Sequence, residues 1–179
     1  AASDVYKRQT ILCALRILRQ QGLAITREAV KEGFAHVTTL TGLQGRWQKV
    51  SSLPPAYCDT GHNTGGFLYI SQQLSGIKCR TLRIVFGMVN DKDISGVLSL
   101  LPKNAVYYFT QAAIPRAMPA SVMRDKAAEV GLKGDVYDSV PEAYRAALHD
   151  SSDDDFIFIG GSSFVVADLL VHLRINTKN

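Results

Sequence analysis

The residues best suited to chemistry lie in Asp59–Gly66 (DTGHNTGG), which follows a short apolar run and precedes a helical pattern. The Asp59 carboxylate can accept hydrogen bonds from ribose hydroxyls, and the His62 imidazole can contact a polar substrate or a phosphate. The glycines permit tight turns and close approach of the backbone to a ligand. The alternative interpretation is structural, with Asp59 as a helix cap and His62 as a hydrogen-bonded loop histidine. A metal site is disfavoured because the sequence indicates no third ligand near this Asp–His pair.

Gly160–Ser163 (GGSS) and Gly45-Arg46 are the next candidates for ligand binding. Gly160–Ser163 end an apolar run and begin a helical pattern. Two hydroxyls and the free N–H groups of a helix start can therefore form an anion pocket for a carboxylate or a phosphate. Ordinary N-capping explains the same pattern and is compatible with binding. Arg46 carries a permanent charge on a planar fork that suits phosphate or carboxylate, and a surface salt bridge is the alternative.

Two more cations follow predicted strands. In Phe86–Asp93 (FGMVNDKD), Lys92 can meet a nucleotide phosphate, whereas Asp91 or Asp93 can cap the helix that follows. Capping is the favoured interpretation of this segment. Arg116 follows the third strand of the series described below, and the sequence does not fix the direction in which it points.

The N-terminal quarter of the chain predicts helices. Residues 11–44 are expected to hold two helices, the second capped by Thr26, followed by a glycine-rich loop at Leu40–Arg46 (LTGLQGR). We place a domain boundary near Gly45, because the rhythm of apolar residues changes there. Residues 1–10 show no readable pattern and are left unassigned, with an assembly scar as one interpretation.

Residues 45–179 alternate short apolar runs with helical patterns of about ten residues, which predicts βαβ units. We therefore expect an α/β domain with a Rossmann-like, mostly parallel sheet, helices on both faces and an added edge strand at Trp47–Ser51. Ligands of such sheets bind at the carboxyl ends of the strands, where the candidate residues above are found. The predicted strands are Ala56–Cys58, Leu82–Phe86, Ala105–Phe109, Val136–Tyr137 and Phe156–Ile159, and the predicted helices are Gly65–Leu74, Lys92–Leu101, Ser121–Val130, Val140–Leu148 and Ser163–Leu173. Ser139, with Glu142 three residues further on, predicts a capping box at the start of the fourth helix.

Composition excludes several classes of protein. The net charge of +4 is too small, and its cations too scattered, for nucleic-acid binding. No apolar run approaches the ~20 residues of a membrane span, and no secretory signal is recognisable. Three cysteines without a CxxC pair favour reduced thiols in a cytoplasm. Asp153–Asp155 (DDD) is interpreted as a solvated turn, and the sequence contains no G-x-x-x-x-G-K-[ST] phosphate loop, G-x-G-x-x-G or H-E-x-x-H motif.

The order of the motifs resembles the C-terminal half of folylpolyglutamate synthase / dihydrofolate synthase, the folate branch of the Mur ligase superfamily. The segments that carry the resemblance are Gly45–Gln48 (GRWQ), Asp59–Asn63 (DTGHN), Phe86–Asp93, Ser139–Tyr144 and Gly160–Ser162. The Asp-x-x-His-Asn loop, 13 residues after the arginine of a Gly-Arg pair, is the most specific of them. The similarity runs from about Ile11 to Leu173, although the family often has alanine where Gly61 stands.

This resemblance implies an ATP- and Mg²⁺-dependent ligase that activates a dihydropteroate or folate carboxylate as an acyl phosphate and joins it to L-glutamate. It implies that Arg46 faces the ATP phosphates, Asp59 the ribose, and His62 with Ser162 or Ser163 the glutamate; Asn63, Lys92 and Arg116 are further candidates. The phosphate loop, the metal ligands and the folate pocket would lie in an N-terminal domain of which residues 11–44 are the tail. The fragment would then hold no catalytic residue and be inactive alone, in a cytoplasmic enzyme without nucleic-acid or membrane partners.

Two alternatives stay open at this point. The chain can be a non-catalytic module that binds a nucleotide or glutamate, because residues 45–179 predict a sheet that folds by itself. It can also be the corresponding domain of a muramyl-peptide ligase, which shares the superfamily's architecture.

Overall fold

A computed structural model describes residues 2–90 and 93–176. The chain divides into two compact units, Ala1–Gln44 and Gly45–Asn179. Within the described residues, no helix combines the length and the apolar character that crossing a bilayer requires.

The first unit consists of α1 (Ala2–Gln20), α2 (Arg27–Ala35) and α3 (Val37–Thr41). The Thr26 hydroxyl accepts a hydrogen bond from the Ala29 N–H at 3.0 Å, which confirms the predicted cap. One prediction was wrong in detail, because Leu40–Thr41 belong to α3 rather than to a loop. Helix α1 begins at Ala2 and so includes most of the segment that the sequence left unassigned. Helix α3 is too short to show a periodic stripe, which is why the sequence did not reveal it.

The second unit contains the other five helices and the whole sheet of the described chain. Its elements are β1 (Gln48–Ser52), β2 (Pro55–Asp59), α4 (Thr64–Ser75), β3 (Leu82–Phe86), α5 (Ile94–Leu100), β4 (Val106–Phe109), α6 (Ala120–Glu129), β5 (Lys133–Val136), α7 (Val140–His149), β6 (Phe156–Gly160) and α8 (Ser163–Asn176).

The sheet has the strand order β1-β2-β6-β3-β4-β5. All neighbours run parallel except β1, which pairs antiparallel with β2 at one edge. The predicted α/β fold, with a mostly parallel sheet and an added edge strand, is therefore confirmed. Strand β6, the last in sequence, lies between β2 and β3. The loop that follows β6 is therefore beside the loop that follows β2.

Helices cover both faces of the sheet because the central strands are mainly apolar on both sides. One face packs against α4, α5 and α6, with Phe67 and Met123 among its buried side chains. The other packs against α7 and α8, with Tyr144 and Leu169 in its core. Local sequence sets the helix starts: Ser139 caps α7 by accepting the Glu142 N–H at 3.4 Å, as predicted.

Strand β5 was predicted at Val136–Tyr137 but spans Lys133–Val136. Its residues KGDV lack the apolar character of a strand, because β5 is an edge strand whose side chains are at most half-buried. Its extended conformation is imposed by parallel pairing with β4, as in the register Tyr107 to Gly134.

The interpretation of Asp153–Asp155 as a solvated turn is wrong for its last residue. Asp155 is only 1% exposed. Its carboxylate accepts hydrogen bonds from Arg80 Nε and from Arg83 Nε, each at 3.1 Å. Arg83 is the second residue of the buried strand β3 and also donates to the Tyr108 hydroxyl at 2.8 Å. A buried charge cluster thus ties β3, β4 and the segment before β6 together at the amino end of the sheet.

Candidate functional site

The strand register places the predicted loops side by side at the carboxyl edge of the sheet. Asp59, the last residue of β2, pairs with Gly160, the last residue of β6. Gly160 in turn pairs with Phe86, which ends β3. The loop that contains His62 and the loop that contains Ser162 are therefore neighbours, and the loop after Phe86 is next in the row. This corner of the sheet, formed by the carboxyl ends of β2 and β6, is called the β2–β6 corner below.

Asp59 uses both carboxylate oxygens to hold backbone. Oδ2 accepts a hydrogen bond from the Trp47 N–H at 2.8 Å, and Oδ1 accepts one from the Gly61 N–H at 2.7 Å. It does not cap α4, as the structural alternative supposed. That role belongs to Asn63, whose Oδ1 accepts the Gly66 N–H at 2.8 Å. Asp59 thus links the turn at Arg46 to the loop that carries His62.

The turn at Gly45–Trp47 has an unusual backbone. Gly45 has φ +73° and Trp47 has φ +42°, a left-handed conformation that costs a non-glycine residue on the order of 1 kcal/mol. A methyl group on Gly45 would lie 2.6 Å from Thr60 Cγ2 and 2.9 Å from Val166 Cγ1, so only glycine fits. The Thr60 N–H donates to the Gly45 carbonyl at 2.8 Å, which fixes the turn against the end of β2.

Arg46 is exposed at the tip of this turn. No salt bridge to it is found among residues 2–90 and 93–176. The alternative of a surface salt bridge is therefore not supported within the described chain.

His62 is half-buried beside Asp59. Its Nδ1 lies 3.1 Å from the Thr60 carbonyl oxygen. A hydrogen bond at this distance requires a proton on Nδ1, which leaves Nε2 as the ring atom directed to other partners. His62 is thus a hydrogen-bonded loop histidine, as the structural alternative predicted, and the hydrogen bond that orients its ring uses Nδ1 and not Nε2.

Ser162 and Ser163 differ in their surroundings. Ser162 is 2% exposed, and its Oγ accepts a hydrogen bond from the Phe164 N–H at 3.2 Å. Ser163 is exposed and is the first residue of α8. Gly161 has φ +101° and packs against the Phe86 ring, which permits the sharp turn from strand to helix. The capping interpretation of this segment is confirmed, since Ser162 caps the 14-residue helix α8; the anion pocket stays a prediction.

The further candidates are placed unequally. Arg116 is exposed, and its guanidinium carbon lies 4.8 Å from the centroid of the Phe164 ring, which brings the loop after β4 to the first turn of α8. Asp93 caps α5 by accepting the Gly96 N–H at 3.0 Å, as the structural interpretation predicted. Lys92 and Asp91 lie outside the described residues.

Two polar residues of this edge were not among the predicted site residues, although Gln48 belongs to the Gly45–Gln48 motif. Gln48 Oε1 accepts the Gly45 N–H at 2.7 Å, a contact between residues only three apart that no pattern of residue types reveals. Thr110 follows β4, is fully buried, and has a hydroxyl for which the described part of the chain offers no hydrogen-bond partner. Burial and the charge of Asp59 raise the pKa of the neighbouring Cys58 thiol to about 12, so it is not a thiolate nucleophile at neutral pH.

Comparison with known proteins identifies relatives along most of the chain. The model of the family described as Mur ligase, glutamate ligase domain, matches residues 45–163. Over 160 residues, or 88% of its length, the chain is 31% identical to the dihydrofolate synthase/folylpolyglutamate synthase of Escherichia coli K12. Over 104 residues, or 57% of its length, it is 32% identical to the Mycobacterium tuberculosis protein of the same name.

Solved structures resemble the fold closely. E. coli FolC in complex with DHPP and ADP matches 92% of this chain with a TM-score of 0.77 and 29% identity. A bifunctional folylpolyglutamate synthase/dihydrofolate synthase with Mn, AMPPNP and L-glutamate bound matches 90% with a TM-score of 0.74 and 29% identity. The chain covers only 36% of the E. coli curated relative and 38% of each of these two solved chains.

Proposed function

The chain belongs to the family of Mur ligase glutamate ligase domains, and we propose that it is the C-terminal part of an ATP-dependent, amide-forming ligase that adds L-glutamate to a dihydropteroate or a folate. The observation that carries this proposal is the assembly of Arg46, Asp59, His62 and Ser162 around the β2–β6 corner. We call the longer protein of which this chain would be a part the parent enzyme. We propose a cytoplasmic location for it, because three cysteines without a CxxC pair favour reduced thiols.

Arg46 and Asp59 are proposed to bind ATP. An exposed guanidinium without a salt-bridge partner in the described chain suits the phosphates, where charge accumulates during phosphoryl transfer. Each carboxylate oxygen can accept two hydrogen bonds, and each oxygen of Asp59 accepts one from the backbone. Asp59 can therefore hold the turn and accept a ribose hydroxyl at the same time.

His62, Ser162 and Ser163 are proposed to hold the incoming glutamate. The N–H groups of the first turn of α8 and the hydroxyl of exposed Ser163 offer donors to a carboxylate. The Ser162 proton stays available, because its oxygen is what accepts the Phe164 N–H. Arg116, above Phe164, adds positive charge beside this first turn. Asn63 is a weaker candidate, since its side chain caps α4, and Lys92 remains a candidate from the sequence alone.

The proposed reaction has two steps. A carboxylate oxygen of the pteroate or folate attacks the γ-phosphorus of ATP, ADP leaves, and an acyl phosphate forms. The amine of glutamate then attacks the acyl carbon, inorganic phosphate leaves, and a proton is lost from the nitrogen as the amide forms. This chain would contribute charge neutralisation and positioning, which dominate catalysis of phosphoryl transfer.

Mg²⁺ is assigned no ligand in this chain. Within the described residues, no group of three or more His, Cys, Asp or Glu side chains is arranged to hold a metal ion. The proposal therefore places the metal ligands, the phosphate loop and the folate pocket in an N-terminal domain, with residues 11–44 as its tail. The isolated chain would then be inactive, because its candidate residues form only one side of an active site.

A first experiment is to read and express the complete reading frame that contains this sequence. The proposal predicts an in-frame G-x-x-x-x-G-K-[ST] phosphate loop upstream, and turnover of ATP with dihydropteroate or folate plus glutamate. Turnover only with a muramyl-peptide substrate would overturn the folate assignment in favour of the other branch of the superfamily. Absence of a phosphate loop from the whole frame would overturn the ligase proposal.

A second experiment addresses a non-catalytic binding module, which the separate core of unit 45–179 makes worth testing. Calorimetric titration of the 179-residue chain with ATP and with glutamate distinguishes the two functions. A one-sided site predicts weak or undetectable binding of both ligands. Sub-micromolar binding to the isolated chain would instead support the module.

A further inference from the structure

The backbone on both sides of Arg46 is held by hydrogen bonds to two side chains, those of Gln48 and Asp59. On one side, Gln48 Oε1 accepts the Gly45 N–H at 2.7 Å. On the other, Asp59 Oδ2 accepts the Trp47 N–H at 2.8 Å. A third bond, from the Thr60 N–H to the Gly45 carbonyl at 2.8 Å, holds the turn to the end of β2. Arg46 is thus the exposed tip of a turn that is clamped at both flanks.

The clamp has to work against the backbone's own preference. Trp47 keeps a left-handed φ of +42°, which an ordinary L residue leaves unless its surroundings prevent it. Its side chain is anchored at 5.7 Å from the Tyr57 ring and 5.9 Å from the Phe158 ring. The anchored ring and the two acceptors therefore determine together where the Arg46 side chain leaves the backbone.

We propose that Gln48 is a positioning residue for Arg46: by accepting the Gly45 N–H it holds the turn in the conformation that presents the guanidinium to an ATP phosphate. This inference rests on the function proposed for Arg46. It adds a residue that touches neither nucleotide nor glutamate, and whose contribution passes through Arg46 alone. A long, flexible cation gains most from such preorganisation, because a misplacement of about 1 Å can cost a large part of its effect.

The test is a double-mutant cycle in the full-length parent enzyme. Arg46→Ala is expected to lower kcat/KM for ATP about 100-fold, the loss of a charge-assisted phosphate contact. Gln48→Met keeps the length of the side chain, removes the acceptor, and is expected to lower kcat/KM for ATP about 10-fold, with KM for glutamate unchanged. In the Arg46→Ala background, Gln48→Met should have no further effect. Gln72→Met, the same change at an exposed position of α4, is the matched control.

A second readout does not depend on catalysis. In the 179-residue chain, amide hydrogen exchange of Gly45 should accelerate in Gln48→Met and return towards the original rate in Gln48→Glu, which restores an acceptor oxygen. An exchange rate that Gln48→Met leaves unchanged would overturn the clamp.

The outcomes separate the two proposals. If Arg46→Ala leaves ATP use unchanged, the function assigned to Arg46 fails and the positioning role fails with it. If Arg46→Ala is impaired but Gln48→Met is not, or if the two losses multiply in the double variant, only the positioning role of Gln48 is overturned. Impaired Gln48→Met with no additional loss in the double variant supports it.

Discussion

Replacement of Asp155 by asparagine should destabilise the second unit severely, although Asp155 is far from the β2–β6 corner. The carboxylate is buried and is shared by two arginines. The Arg80 side chain is 61% exposed, so its pair contributes at most about 1 kcal/mol. The Arg83 side chain is 11% exposed, and removal of the partner of a buried charge costs about 3–5 kcal/mol. Because Tyr108 still accepts from Arg83, we expect a total loss of about 3 kcal/mol, or roughly 10 °C in Tm.

The pH dependence of this loss follows from the lowered pKa of Asp155. Burial alone would raise that pKa, but hydrogen bonds from Arg80, the Ser152 N–H and Arg83 hold it well below its usual range. A carboxyl group whose pKa is lowered in the folded state stabilises the fold above its unfolded pKa of about 3.9 and loses that contribution as the pH falls further. The stability difference between wild type and Asp155→Asn should therefore be constant near neutral pH and shrink below about pH 4.

Trp47 provides the assay, because it is the only tryptophan of the chain and belongs to the second unit. Urea unfolding followed by its fluorescence reports the free energy of unfolding of that unit. Asp154→Asn, at the exposed neighbouring position, is the matched control and should change the free energy by less than about 0.5 kcal/mol. The reasoning is refuted if Asp155→Asn costs no more than this control, or if its effect is the same at pH 3 as at pH 7.

Three predictions concern the site itself. Asp59→Ala in the parent enzyme should raise KM for ATP about 10-fold or more, since it removes the ribose acceptor and one flank of the Arg46 clamp; an unchanged KM for ATP would contradict both roles. Ser162→Ala should raise KM for glutamate more than KM for ATP, and the loss of the helix cap should lower the free energy of unfolding in urea by about 1 kcal/mol. A larger rise in KM for ATP than in KM for glutamate would contradict the role of Ser162 in glutamate binding. Gly45→Ala should cost about 2 kcal/mol by the same assay, because it combines a positive φ with two close contacts, whereas Gly65→Ala, where a methyl meets only Asn63 Oδ1 at 3.5 Å, should be nearly neutral. Equal effects of the two alanines would contradict the account of the turn.

Local signals in the sequence were reliable where local chemistry decides the structure. Thr26 and Ser139 cap the helices that they were expected to cap, and Leu82–Phe86 forms a strand with the predicted bounds. The resemblance drawn from the ordered motifs is confirmed at the level of the family, whose model matches residues 45–163. Residue type and spacing were sufficient there because caps, apolar runs and glycine turns depend on neighbours in the chain.

Tertiary contacts decided the rest. Pairing with β4 makes Lys133–Val136 a strand. The burial of Arg83 in β3 depends on its hydrogen bond to Asp155, which is 72 residues away in sequence. The site shows the same limit. Asp59 was recognised as a candidate, but its hydrogen bond to the Trp47 N–H was not predicted. That bond depends on the left-handed conformation of Trp47, which the residue types of the turn do not indicate. An alanine at position 61 would bring its methyl group against Ile70 Cδ1 and within 3.2 Å of Asp59 Oδ1, so the Ile70 and Asp59 side chains would both have to adjust.

The central claim is that this chain supplies one side of an ATP-dependent glutamate ligase site, with Arg46 on the phosphates. The most direct test is ADP release by the full-length parent enzyme, measured with and without glutamate and with Arg46→Ala beside wild type. We expect sustained ADP release that requires both a pteroate or folate acceptor and glutamate, and that falls about 100-fold in Arg46→Ala. Sustained ADP release that does not require glutamate, or that Arg46→Ala leaves unchanged, would contradict it.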